Sequence, residues 1–231
     1  MRAHIIGLLF GALCLAGAAP ASGSEDAKNC TGVGWDDTRP LTVAKVTAAS
    51  RVNFLKSPYD DRSTAASCPA AAKACRKKAY LVPGDLVLVG KAQGDFTCVT
   101  YQSPRAKRQT WIGGWLPSAA LTPVAPTPSP ASDWIGRWRQ PGGFVEIKNG
   151  DGGKLRVEGS MTLPTPSGDY QNGDFHAQVA PSALIAFSDE GVYGDGCRLR
   201  MQRIGASLLV EDNGGCGGAG VTFTGLFRRQ N

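Results

Sequence analysis

The residue types best suited to chemistry here are one histidine, five carboxylates and a close cysteine pair. His176 sits in "GDFHAQVA". The carboxylates Asp169, Asp174, Asp189, Glu190 and Asp195 fall in a Gly-rich stretch. Cys68 and Cys75 lie in "CPAAAKACRKKAY", with six residues between them and a basic run behind them. Two carboxyl groups at the right separation suffice for glycoside hydrolysis, but acidic residues between strands read first as solvated turns. Alternation places His176 opposite the face of Phe175 and Ala177, which makes it a surface residue. A Cys–His dyad needs a free thiol, and the cysteines look paired. Neither a Gly-x-Ser-x-Gly elbow nor a His-Glu-x-x-His run occurs. The Cys68/Cys75 spacing is too wide for a Cys-x2–4-Cys zinc pair, and no nearby His completes one. "EDNGGCGGAG", Glu211 to Gly220, lacks the Gly-Lys-Ser/Thr ending of a phosphate loop and reads as a wide turn pinned by Cys216. The expectation is no catalytic residue, no metal and no cofactor.

Whether the cysteines pair depends on compartment. The chain opens "MRAHIIGLLFGALCLAGAAPASGSEDA". Arg2 gives a basic start, Ile5 to Ala16 is almost wholly apolar, and Ala19-Pro20-Ala21 supplies small residues at cleavage spacing. A spanning helix needs about 20 apolar residues, so residues 1–23 read as a secretory signal peptide. His4 and Cys14 leave with it, and the product is expected to be periplasmic or secreted. Six cysteines then remain: Cys30, Cys68, Cys75, Cys98, Cys197 and Cys216. An even count outside the cytoplasm argues for disulfides. Cys197–Cys216 is the simplest pairing late in the chain, worth about 3 kcal/mol in the chain-entropy model. A local Cys68–Cys75 bridge, worth about 2.5 kcal/mol, leaves Cys30–Cys98 by elimination, although four cysteines allow three pairings.

The elements that must position these residues are strands. "LTVAKVTA", "RVNFLKS", "AYLV", "DLVLVG", "DFTCVTY" and "TWIGGWL" are short, rich in Val, Leu, Thr and aromatics, and separated by turn formers. "FVEIK", "KLRVEG", "DFHAQVA", "ALIAFS", "CRLRMQRI", "SLLVEDN" and "VTFTGLFRR" follow, with a strong hairpin turn at Asn149 to Gly153. The one helical piece expected is Ala70 to Arg76. "TPVAPTPSPAS" holds prolines at 123, 126, 128 and 130. Such a run is not expected to pair in a sheet and favours an extended spacer. The fold class is therefore all-β, in two domains. Residues 24–121 form a small barrel, 122–132 a Pro-rich linker, and 133–231 an antiparallel meander closed as a barrel or folded as a sandwich.

"AYLVPGDLVLVGKAQGDFTCVTY" followed by "GGWLPSAALTPV" resembles the bacterial Src-homology-3-like (SH3b) domain over residues 41–124. The carriers are a strand near "RVNFLKSP", a long loop, the Gly84-Asp85 turn into two strands, and a Gly114-Trp115-Leu116 ending. The resemblance implies a small barrel used for cell-wall or protein contact. Ala120 stands where proline-peptide binders of this fold carry Tyr, so one wall of an aromatic groove is missing. More weakly, "DWIGRWR", with Gly136 and Trp138, resembles the entry strand of lipocalin- and avidin-like barrels. That likeness implies a late arginine, Arg228 or Arg229, covering Trp138.

Residues 24–124 hold 14 Lys and Arg against 8 Asp and Glu, whereas residues 132–231 hold 10 against 11. The basic half implies an anionic partner, cell-wall polymer or envelope protein, rather than nucleic acid. Candidate contacts are Arg76, Lys77 and Lys78, with Tyr59, Tyr101 and Trp111 as exposed aromatics. The leading expectation is an exported, non-catalytic binding protein with no membrane insertion after cleavage. The alternatives are a periplasmic partner or inhibitor of a secreted enzyme, acting through the C-terminal barrel, and a small hydrolase using the Asp/Glu loops.

Overall fold

A computed structural model describes residues 27–36, 38–60, 67–104, 106, 109–165, 167–180, 185–188 (backbone only), 196–217 and 220–230. The fold is all-β, built as two antiparallel sheets. The first contains β1 (Thr42–Val46), β2 (Val52–Leu55), β3 (Arg76–Leu81), β4 (Leu86–Gln93), β5 (Phe96–Gln102), β6 (Trp111–Pro117) and β7 (Leu121–Val124). Their order is β3-β2-β6-β5-β4-β1-β7. After the short helix α1 (Ala131–Trp134), the second sheet is formed by β8 (Gly136–Gln140), β9 (Gly143–Asn149), β10 (Leu155–Pro164), β11 (Tyr170–Val179), β12 (Ile185–Ser188), β13 (Leu199–Ile204), β14 (Ser207–Asp212) and β15 (Gly225–Arg229). Its order is β11-β10-β9-β8-β15-β14-β13-β12, and it curls until β11 approaches β12.

Alternation produces the cores. In β11, Phe175, Ala177 and Val179 point inward while Asp174, His176 and Gln178 face out. The inner faces of the second sheet enclose Trp134, Trp138, Ile147, Val157, Met201 and Phe227. Phe175 meets Phe223 edge to face, with centroids 4.7 Å apart, a favoured aromatic geometry. Trp138 donates from Nε1 to the Trp134 carbonyl at 2.8 Å. Arg203 and Arg229 lie over its ring at 4.6 and 5.4 Å, where a cation meets the negative ring face. In the first sheet Gly114 lies against Phe54 and the Leu55 carbonyl, closer than most side chains tolerate.

Three disulfides close: Cys30–Cys98, Cys68–Cys75 and Cys197–Cys216. Such a set fits a non-reducing compartment, extracellular or periplasmic. No helix among the described residues is long and apolar enough to cross a membrane. Residues 1–23, the expected signal peptide, lie outside the described residues.

Two expectations are corrected. Ala70 to Arg76 forms only a 3-10 turn at Lys73–Cys75. The Cys68–Cys75 bridge spans a separation of seven, and Arg76 already pairs with Leu55, so no longer helix fits. Pro123 does pair, opposite Ala44 on β1. β7 is an edge strand, and proline's missing N–H is tolerated at an edge. The remaining prolines do not free the segment, because Thr127 donates to the Arg203 carbonyl and accepts from Gly205 N–H.

The two sheets share a buried face. β13 is buried at every position. Leu199 and Met201 enter the barrel core, while Ile204, with Leu209 of β14, packs on Leu41, Val43 and Leu88 of the first half. The polar residues on that same face are buried too. Arg200 pairs with Glu211 at 3.3 Å, their side chains 4% and 0% exposed. Arg200 also donates to the Asp36 carbonyl, and Gln202 donates to the Leu41 carbonyl and to Glu211. Burial pushes the Glu211 carboxyl above its usual value, against the opposing pull of Leu41 N–H, Arg200 and Gln202.

Truncating one partner strands the other charge in the interior. Arg200→Ala should therefore cost about 3–5 kcal/mol in urea unfolding. Because the folded pKa of Glu211 is raised, the folded state holds a proton the unfolded chain has lost as pH rises above the ordinary glutamate value of 4.5. Its contribution is fully present below that pH and declines above it. The urea midpoint of wild type relative to Glu211→Gln should fall as pH is raised from 4.5 towards neutrality. A constant difference would contradict the assignment.

Candidate functional site

The basic run lies on β3, which forms one edge of the first sheet. Its start is fixed by the Cys68–Cys75 bridge and by Lys56 N–H donating to the Cys75 carbonyl. Period-2 geometry then divides the run. Arg76, Lys78 and Tyr80 are exposed, while Lys77, Ala79 and Leu81 turn towards the sheet's covered side. Lys77 pairs with Asp60 at 2.7 Å and donates to the Gly113 carbonyl at 3.0 Å. It is a structural tie rather than a free cation.

Arg51, just before β2, lies 5.3 Å over the Tyr80 ring, and Tyr80 is 50% exposed. Arg51 and Arg76 also line a common groove of about 240 Å³, floored by Asn53, Leu55 and Pro117. The face therefore carries three cations and one aromatic side chain on a disulfide-stapled edge. Sequence reasoning missed Arg51 and Tyr80. The signal available was the alternation in "RKKAY", which puts Tyr80 on the Arg76 and Lys78 side.

The other candidate residues lie elsewhere. Tyr59 is exposed at the end of the Ser57–Asp60 turn. Tyr101 is half-buried, with its hydroxyl towards Asp85. Burial, with the Asp85 carboxylate beside it, holds its phenol above its usual value. Trp111 packs against the shared face of the two sheets. His176 and Asp174 are exposed on the outside of β11, and Asp169 lies in the preceding turn. Asp189, Glu190 and Asp195 are outside the described residues. No three His, Cys, Asp or Glu side chains gather as a metal site among the described residues.

Where the sheets meet, Trp35 and Trp111 line a cleft of about 470 Å³ together with Asp212. Burial raises the Asp212 carboxyl. It is occupied structurally, accepting from Gly214 and Phe223 N–H and from the Thr222 hydroxyl. The cleft's carboxylate is thus committed to holding the Gly-rich turn, while the β3 face keeps its cations exposed.

No family model matches the chain, and no curated protein or solved structure matches it.

The division of the Arg76-Lys77-Lys78 run makes a stability prediction. Lys77→Ala removes a partly buried ion pair and a carbonyl contact and should cost about 1–2 kcal/mol. Lys78→Ala should stay within about 0.5 kcal/mol. Urea midpoints of the two variants measure the contrast, and equal losses would contradict the face assignment.

Proposed function

We propose that this chain is an exported, non-catalytic binding protein whose basic first sheet is an SH3-like module that contacts an anionic component of the cell envelope. Several features support the module. The Gly84-Asp85 turn leads into the β4–β5 pair, Gly114 and Trp115 lie on β6, and a 3-10 turn at Ser118–Ala120 precedes the last strand. β3 and β2 form a hairpin within the long excursion between β1 and β4. The three disulfides suit a periplasmic or secreted location.

The observation that carries the reading is the grouping of Arg51, Arg76, Lys78 and Tyr80 on one exposed edge. Guanidinium groups bind carboxylate and phosphate through paired hydrogen bonds. An exposed aromatic ring adds contact area at little conformational cost. The partner this fits is a wall polymer bearing carboxylates or phosphates, or an acidic envelope protein.

The test is co-sedimentation of the full mature chain with purified cell-wall material. Wild type should sediment at about 0.05 M salt and be released by about 0.5 M, as screening shortens the reach of each charge. Arg51→Glu, Arg76→Glu and Lys78→Glu together should weaken the interaction at least about tenfold. Absence of wild-type binding at low salt removes the wall partner. Unchanged binding by the triple variant removes this face.

A further inference from the structure

A second cleft, of about 350 Å³, opens between the end of β5 and the β8–β15 pair. Its chemistry is unusual. Gln140 is only 8% exposed, and its Oε1 has no hydrogen-bond partner. Both amide atoms of Gln102 are buried and unpartnered as well. The Gln140 amide nitrogen reaches only the Met161 sulfur, at 3.5 Å, a weak acceptor. A Cβ on Gly225 would collide with both amide oxygens, so glycine there leaves the space in which they stand. Buried polar groups in folded proteins nearly always find partners. Single unpartnered nitrogens occur elsewhere, on Trp134, Arg137, Arg200 and Arg203, but here two neighbouring glutamines together leave three amide atoms without a partner.

The mouth adds a second cost. Arg228 and Arg139 stand directly opposite each other on β15 and β8. Like charges in that position destabilise a sheet. Arg139 spends its Nε on the Gln230 side chain, and the Arg228 side chain, whose charge also acts on the Tyr101 phenol, makes no hydrogen bond or ion pair among the described residues. A third guanidinium, Arg229, is committed to the Ile135 carbonyl and the Trp138 ring. Among the described residues no acidic side chain lines the cleft, whose walls include Pro141 and Leu226.

We propose that this cleft binds an oxyanion, carboxylate or phosphate, carried on a hydroxylated body of sugar size. Arg139 and Arg228 hold the anion from opposite strands and lose their mutual repulsion in doing so. The Gln102 and Gln140 side chains line the same cleft, and on binding a turn of each brings its buried amide to the ligand's hydroxyls, which donate to the two oxygens and accept from the nitrogens. The volume lies within the range of small-ligand sites. This site is on the second sheet and the end of β5, apart from the β3 edge, and it does not depend on that edge binding anything.

The test is calorimetric titration of the full mature chain with glucuronate, glucose 6-phosphate, inorganic phosphate and, as a neutral control, glucose. The expected result is saturable binding of at least one sugar acid or sugar phosphate at or below about 1 mM, with glucose far weaker. Glucuronate alone identifies a carboxylate ligand. Glucose 6-phosphate alone identifies a phosphate ligand. Arg139→Ala with Arg228→Ala should weaken binding at least about tenfold and raise the melting temperature of the ligand-free protein, because the opposed charges are gone. Arg228→Lys should retain part of the affinity. The charge reversals at Arg51, Arg76 and Lys78 should leave this binding unchanged, which separates it from the β3 surface. The proposal is overturned if no anion binds saturably, if inorganic phosphate matches both sugars, or if the double variant binds like wild type.

Discussion

A buried guanidinium–carboxylate pair decides how this protein is assembled. Arg200 and Glu211 lie side by side on β13 and β14, and both face the first sheet rather than water. Desolvating two such charges costs several kcal/mol per ion, which their attraction offsets only with further hydrogen bonds. Those bonds come from the other half of the chain, through the Asp36 carbonyl on Arg200 and Leu41 on both Gln202 and Glu211. The pair gains these bonds only when the segment around 36–41 lies across β13 and β14. The apolar cluster of Leu41, Val43, Leu88, Ile204 and Leu209 supplies the driving force, and the polar network sets the register.

The outer edges of the first sheet meet a different requirement. An uncovered strand edge invites pairing with another chain. β7 answers with Pro123 and β3 with Arg76 and Lys78. The cations on β3 repel a second copy of the same strand while leaving the edge open to acidic partners. One arrangement thus serves solubility and the proposed contact together. It also explains why Lys77 is treated differently from its neighbours: it is the residue whose side chain reaches the covered side of the strand.

Much of the strand pattern was legible because alternation reports which residues share a face. Phe175, Ala177 and Val179 are inward and His176 outward, as the spacing implies. Cysteine spacing likewise pointed to Cys68–Cys75 and Cys197–Cys216, whereas Cys30–Cys98 followed only by elimination among three possible pairings. Alternation does not report what covers the second face. In "CRLRMQRI" and "SLLVEDN" the polar positions Arg200, Gln202 and Glu211 look like a solvent side, yet they are the contact between sheets. The proline run looked like a free spacer because local chemistry says nothing of Thr127 docking on β13. For the candidate site, the basic run was visible, but Arg51 joined it only through the β2–β3 hairpin. Nothing local could bring Gln102 to Gln140. Their meeting at Gly225 is a product of three separate strands.

The shared face also sets an order of events for a chain that emerges N-terminus first. Asp36 and Arg200 are 164 residues apart, so the first sheet is complete in sequence long before its covering strands exist. Until β13 and β14 arrive, Leu41, Val43 and Leu88 remain uncovered and the Leu41 carbonyl lacks Gln202. The first half must wait as a partly finished surface, and a nascent chain in that state offers apolar area to any holding factor nearby. The chain's last segments thus act as the seal on its first.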